Sequence, residues 1–219
     1  MPKVISPFIK TSSLDSKKLY LCVPARQDIE HFISECVRGG VDLVQLREKH
    51  LEALELIDYA HRAVMACHDL GIQFIMNDRP DIALEVGADG VHVGQDDVPP
   101  KLARRILGQS AIVGRSTHTS QELTNSLSEP IDYISAGPVV PTPTKPGRKG
   151  TGIDYAAYAT SQSPRPVFAT GGVTPETIPS LAKAGVRHFV VVRYLTLATD
   201  PYRAAKKLTE AIKQSIDQS

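Results

Sequence analysis

Short apolar runs alternate with longer amphipathic ones along nearly the whole chain, and this alternation limits the fold more than any other feature. The short runs are LYLCV from Leu19, VDLVQL from Val41, QFIMN from Gln73, GVHVG from Gly90, AIVGRS from Ala111, YISAGPV from Tyr133, PVFATGG from Pro166 and HFVVV from His188. They are rich in β-branched residues and do not alternate strictly, as parallel strands covered on both faces do. Between them lie helical patterns. Asp28 to Arg38 sets Ile29, Phe32, Ile33 and Cys36 on one stripe, and Glu52 to Leu70 repeats the spacing. Pro175 to Ala184, with Thr174 as N-cap, and Tyr202 to Ile216 are further helices. Gly40, Gly71 and Gly185 stand where helices should end. Eight strand–helix repeats predict a single-domain α/β protein, a (β/α)8 TIM barrel over residues 19–219 preceded by an arm over residues 1–18. An open doubly wound sheet is the alternative. It needs fewer strands and usually an early glycine-rich turn, whereas the first strand here runs into CVPARQD.

The totals narrow the function. With 219 residues, 42% apolar and 22% charged, the chain has the composition of a globular domain. A formal net charge of +1 argues against general nucleic-acid binding, so any basic patch is local. Cys22, Cys36 and Cys67 are odd in number, widely spaced and form no CxxC, which argues against a disulfide framework or thiolate metal site. No apolar run approaches the roughly 20 residues of a membrane span. The opening MPKVISPFIKTSSLDSKK lacks the apolar centre of a secretory signal. A cytoplasmic protein acting on neither membrane nor nucleic acid is expected.

In a barrel of this kind the chemistry sits at the C-terminal ends of the strands, and there the polar residues gather. Strand two ends in Gln45, Arg47, Glu48 and Lys49, strand three in Asn77, Asp78 and Arg79, and strand four carries His92, Gln95, Asp96 and Asp97. Strand five gives Ser116, Thr117 and His118, strand seven Gly171 and Gly172, and strand eight Arg193. Asp78 and Asp97 follow neighbouring strands and together suit magnesium, which takes carboxylate, water and phosphate oxygens; helix capping or pairing with a cation is the plainer reading of each. Arg47, Lys49 and Lys145, with Arg148 and Lys149 nearby, suit a polyphosphate, against the plainer reading of a solvated rim. The loop after Val140, residues 141–152, has three prolines, three threonines and three basic residues, and no acidic one. In ATGGVTPET, residues 169–177, paired glycines before a helix allow a phosphate to approach backbone N–H groups. His31, His50, His61 and His68 read as surface or packing residues and His92 as a packing residue within its strand. His118 stays a candidate for hydrogen bonding or proton transfer.

Six motifs in register then carry a resemblance: QLREK (45–49), NDR (77–79), GVHVGQDD (90–97), GRSTH (114–118), GPVVPTPTK (137–145) and FATGGV (168–173). Together they resemble thiamine-phosphate synthase, over about residues 19–211. The resemblance implies a transferase of thiamine biosynthesis with two small phosphorylated substrates. It would join a pyrimidine-methyl diphosphate to a thiazole-ethyl phosphate, releasing pyrophosphate by a dissociative, magnesium-assisted substitution. Gln45, Arg47, Lys49, Asn77, Ser116 and Lys145 would hold the pyrimidine diphosphate, with Arg47, Lys49, Ser116 and Lys145 the catalytic candidates. Asp78 and Asp97 would ligate Mg2+. Thr142, Pro143 and Thr144, with Gly172 and the backbone at Val192 and Arg193, would meet the thiazole phosphate, and the basic loop would close over the ligands. The sequence departs from the family pattern at CVPAR after strand one, at Thr170 before the double glycine, and at Tyr194. A thiazole tautomerase of the same fold and a catalytically silent barrel that binds a phosphorylated metabolite are the alternatives. Homo-oligomer formation is compatible with every reading, and no fused kinase partner is expected after the last helix.

Overall fold

A computed structural model describes residues 14–141 and 150–217. Eight parallel strands close into a barrel in sequence order, β1 (Leu19–Val23), β2 (Leu43–Leu46), β3 (Gln73–Asn77), β4 (Gly90–Val93), β5 (Ile112–Thr117), β6 (Tyr133–Ala136), β7 (Val167–Thr170) and β8 (His188–Val191), with β8 pairing back onto β1. Around them run α1 (Ile29–Arg38), α2 (Ala53–Asp69), α3 (Pro80–Val86), α4 (Pro100–Leu107), α5 (Ser120–Leu127), α6 (Gly152–Gln162), α7 (Ile178–Lys183), α8 (Arg193–Thr196) and α9 (Pro201–Asp217). The expected (β/α)8 barrel is therefore present, and the doubly wound alternative falls because the sheet closes. Among the described residues no helix is long and apolar enough to cross a membrane.

Side chains on a strand alternate between the two faces of the sheet, and this splits the core in two. Leu19, Leu21, Val23, Val44, Leu46, Phe74, Met76, Val91 and Val93 join the layer shared with the helices. Tyr20, Cys22, Leu43, Ile75, Ile112, Tyr133, Phe168 and Val190 form a separate cluster inside the barrel. Three of these are large aromatic residues packed edge to face, with ring centroids 6.0 Å (Tyr20–Tyr133), 5.4 Å (Tyr20–Phe168) and 5.3 Å (Tyr133–Phe168) apart. Gly114 makes room for this plug: a Cβ there would lie 2.1 Å from Tyr133 Cζ. The interior is thus filled by side chains rather than open.

Two elements start more than one residue away from the sequence expectation. Strand β2 begins at Leu43 rather than Val41, because Asp42 turns its carboxylate to the backbone N–H groups of Lys18 (2.6 Å) and Leu19 (3.1 Å). Helix α7 begins at Ile178 rather than Pro175, and its N-cap is Thr177 rather than Thr174. The reason is local: Thr177 Oγ1 accepts from the Thr174 N–H (2.9 Å) and itself lies 2.9 Å from the Gly172 carbonyl, to which it donates, so this stretch closes as a turn first. Gly40, Gly71 and Gly185 follow helix ends with φ of 110°, 69° and 93°, the left-handed conformation that suits glycine.

Candidate active site

The parity that sends apolar residues outward brings polar ones inward near the strand ends. Gln45 is on the same face as Leu43, Asn77 as Ile75, Ser116 as Ile112, and Ser135 as Tyr133; register pairs Asn77 with His92 and Ser116 with Ser135. These side chains line a cavity of about 530 Å³ at the C-terminal mouth, above the aromatic plug. Of the residues singled out in the sequence, Gln45, Arg47, Lys49, Asn77, Asp78, Asp97, Ser116, Gly172, Val192 and Arg193 all line this one cavity. Thr142, Pro143, Thr144 and Lys145, like Arg148 and Lys149, lie outside the described residues.

The carboxylates face one another. Asp78 is the one non-glycine residue with positive φ (61°) among those described. Its N–H donates to the His92 carbonyl (2.8 Å) and the next N–H, of Arg79, to the Asn77 carbonyl (2.8 Å), a tight turn at the end of β3. An aspartate in this backbone region is uncommon and costs free energy that its surroundings must offset. Lys49 Nζ sits 2.8 Å from Asp78 Oδ2, so the plainer expectation, pairing with a cation, also holds for this residue. Asp97 Oδ2 accepts from the Gly94 N–H at 2.8 Å. Burial and then the facing Asp97 carboxylate raise the pKa of Asp78, with Lys49 opposing. Burial also works against the Asp97 charge, but the Asp78 carboxyl and the Gly94 amide outweigh it and hold Asp97 below the usual value. The two carboxylates therefore conflict: full charge on both is disfavoured, and Asp78 is the one that gives up its proton less readily. A divalent cation removes that conflict, and this donor set fits one.

Other groups in the cavity are unsatisfied. Asn77 is 4% exposed and its Nδ2 finds no partner among the described residues; nor does His118 Nδ1. A buried donor without a partner is costly, so these atoms are suited to a ligand. Gly171 and Gly172 have φ of 87° and 78°, and a Cβ on Gly172 would lie 2.2 Å from Val140 Cγ2, so both conformation and space demand glycine there. The helix after the double glycine begins at Ile178, six residues beyond Gly172; α8, after Val192, has four residues and begins at Arg193.

His92 differs most from its expectation. It does pack, stacked on Tyr133 with centroids 5.5 Å apart, but it also lines the cavity and bonds Ser116 Oγ through Nε2 at 2.8 Å. Tyr20 also reaches the cavity and went unnoticed as an apolar strand residue. Parity was the signal for both, since Tyr20 is two residues from Cys22, and His92 two from Gly90. Three other histidines or acids prove structural: His68 Nε2 meets Asp89 Oδ2 at 3.0 Å on the outside of the barrel, and Glu48 Oε1 accepts from the N–H groups of Lys49 (2.8 Å) and His50 (3.0 Å).

The sequence profile of the family described as thiamine monophosphate synthase matches residues 19–195. The chain belongs to the thiamine monophosphate synthase family. A member from Mycolicibacterium smegmatis, a thiamine-phosphate synthase, is 42% identical over 91% of this chain and 93% of its own length. Another, from Thermosynechococcus vestitus, is 40% identical over 92% of this chain, which spans only 57% of that relative. Among solved structures, the thiamine phosphate pyrophosphorylase from Pyrococcus furiosus superposes with a TM-score of 0.82 at 25% identity, covering 91% of this chain and 96% of its own. The family profile spans β1 to α8, so every strand end that lines the cavity falls within the match.

Proposed function

We infer that this chain is a thiamine-phosphate synthase, a transferase that couples 4-amino-2-methyl-5-(diphosphomethyl)pyrimidine with 4-methyl-5-(2-phosphoethyl)thiazole. The observation that carries this reading is the convergence of Asp78, Asp97 and Lys49 on one cavity with the polar residues of five strand ends. In the reaction the C–O bond to the diphosphate breaks and its electron pair leaves with pyrophosphate. The electron-rich aminopyrimidine carries the resulting cation until the thiazole nitrogen donates its lone pair to form the C–N bond. No protein nucleophile is needed. Gln45, Asn77 and Ser116 hold the pyrimidine, while Arg47 and Lys49 hold the diphosphate by charge. Gly172 and the backbone at Val192 and Arg193 hold the thiazole phosphate and keep the second ring in line.

Asp78 and Asp97 would hold Mg2+, which when bound neutralises charge on the diphosphate. Among the described residues no group of three or more acidic, histidine or cysteine side chains is placed for a metal, so the remaining ligands belong to substrate and water, as magnesium prefers. Lys145, Thr142, Pro143 and Thr144 join the site on the family motif alone. A cytoplasmic setting belongs to the same reading, supported by Cys22, Cys36 and Cys67, all buried thiols outside any disulfide.

The deciding experiment supplies both substrates and magnesium to the purified protein and follows pyrophosphate and thiamine phosphate together. Equal release of both, abolished by a chelator, is expected. Neither product from folded protein that binds both ligands would sink the synthase reading in favour of the silent barrel. The tautomerase alternative gives the carboxylate pair no task.

A further inference from the structure

Five buried side chains form an unbroken hydrogen-bonded file across the barrel at the floor of the cavity, which all but Tyr133 line. Gln45 Nε2 donates to Tyr20 Oη at 2.5 Å, Tyr20 Oη lies 2.9 Å from Tyr133 Oη, Tyr133 Oη lies 3.0 Å from His92 Nδ1, and His92 Nε2 lies 2.8 Å from Ser116 Oγ. All five are less than 9% exposed, and two of them, Tyr20 and Tyr133, are 1% and 0% exposed.

Each hydroxyl has one proton, and this gives the file a direction. Tyr20 Oη receives the Gln45 amide, so its own proton goes to Tyr133 Oη. The Tyr133 proton then goes to His92 Nδ1, which is thereby the bare nitrogen of the ring. His92 carries its proton on Nε2 and donates it to Ser116 Oγ. Ser116 therefore has its hydroxyl proton left to give, and it lines the cavity. The opposite sense, with the Gln45 amide as placed, sends the Tyr133 proton to Tyr20 and leaves the Tyr20 hydroxyl proton with no acceptor among the described residues, on a side chain only 1% exposed.

We propose that Tyr20, Tyr133 and His92 are positioning residues that hold Ser116 as a hydrogen-bond donor toward the cavity, so that the site selects a ring presenting a bare nitrogen, an aminopyrimidine, over an oxo-pyrimidine presenting a ring N–H. The identity of the ring rests on the synthase reading; the direction of the file rests on geometry alone.

Two measurements separate these. In protein labelled with 15N-histidine, long-range proton–nitrogen correlation near neutral pH reads the His92 tautomer, assigned by its loss in His92→Gln. The neutral Nε2–H form is expected, and the Nδ1–H form or a doubly protonated ring overturns the file whatever the protein catalyses. Tyr133→Phe keeps the ring and its stack but removes the proton given to His92. It is expected to raise KM for the pyrimidine diphosphate about tenfold, the weight of one lost hydrogen bond, while KM for the thiazole phosphate stays unchanged. By calorimetry, the variant should also narrow the preference of the wild type for the aminopyrimidine alcohol over its 4-oxo analogue. Equal loss for both substrates, an unchanged preference, or weaker binding of pyrophosphate alone would overturn the assignment to the ring. If the wild type forms no thiamine phosphate, the substrate reading fails and the tautomer still decides the file.

Discussion

Replacing Gly114 by alanine tests whether the barrel interior is as tightly filled as its geometry states. The added Cβ would stand 2.1 Å from Tyr133 Cζ and 2.4 Å from its Cε1, where ordinary contact begins near 3.4 Å. The ring has nowhere to retreat: Phe168 and Tyr20 press on it edge-on, His92 stacks on it, and none of the three aromatic residues is more than 1% exposed. Overpacking a dense core costs about 1–3 kcal/mol, and a rigid aromatic neighbour puts this site near ~3 kcal/mol, a fall in Tm of roughly 6–12 °C for a chain of this length. Thermal and urea unfolding read the loss. Gly108→Ala is the reference, because its φ of 89° is strained for alanine while its Cβ meets nothing within 4 Å; it should lose only about 1 kcal/mol. Adding Tyr133→Leu to Gly114→Ala should recover part of the loss, a coupling of about 1 kcal/mol or more between touching residues. A Gly114→Ala protein that melts within about 2 °C of wild type, or a double variant whose losses simply add, would refute the close-packed plug.

Asp97→Asn should depress turnover sharply and raise the magnesium concentration needed for half-maximal rate; an unchanged magnesium titration would remove Asp97 from the metal site. Gly172→Ala forces a side chain into a backbone with φ of 78° against Val140 and should weaken the thiazole phosphate more than the pyrimidine diphosphate, as paired KM values would record. Burial first of all lowers the pKa of His188, although its Nδ1 meets the Lys17 carbonyl. The folded state therefore binds this proton less readily than the unfolded chain, so the stability it contributes is full above about pH 6.5 and falls as pH drops from there toward the lowered folded pKa. Unfolding free energies of His188→Gln should fall less steeply over that window; identical slopes would refute the assignment. Arg104, 8% exposed, donates to the Pro130 carbonyl at 3.0 Å, to Asp132 Oδ2 at 2.5 Å and to the Ala111 carbonyl. Arg104→Met should cost about 1–3 kcal/mol by stranding the carbonyl acceptors, with Asp132 partly in solvent adding little, measured by urea unfolding.

The barrel was legible because each strand is a short apolar run between helices and the runs number eight. Helix α5 carried a signal in T-S-Q-E: Thr119 caps it by accepting from the Glu122 N–H (3.2 Å), while Glu122 reaches one residue further back, to the His118 N–H (2.7 Å). Boundaries set by side chains bonding to distant backbone were not legible: Asp42 shortens β2 for the sake of β1, twenty-three and twenty-four residues away. In the site, charged residues at strand ends declared themselves by type. Tyr20, Tyr133 and His92 did not, because their types suit a core equally well and only strand register fixes which face they take. The left-handed backbone of Asp78 has no sequence signature at all, since it depends on β4 offering the His92 carbonyl.

The aromatic plug makes the barrel a cup. Nothing the size of a ring passes Tyr20, Tyr133 and Phe168, so every ligand of the cavity enters and leaves by the same rim. Whatever rests on the floor formed by Gln45 and Ser116 must arrive before anything settles above it and depart after that upper guest has gone. If the proposed pyrimidine rests below and the thiazole phosphate above, traffic through a single doorway would impose an order of arrival, the diphosphate first, without any gate or moving part.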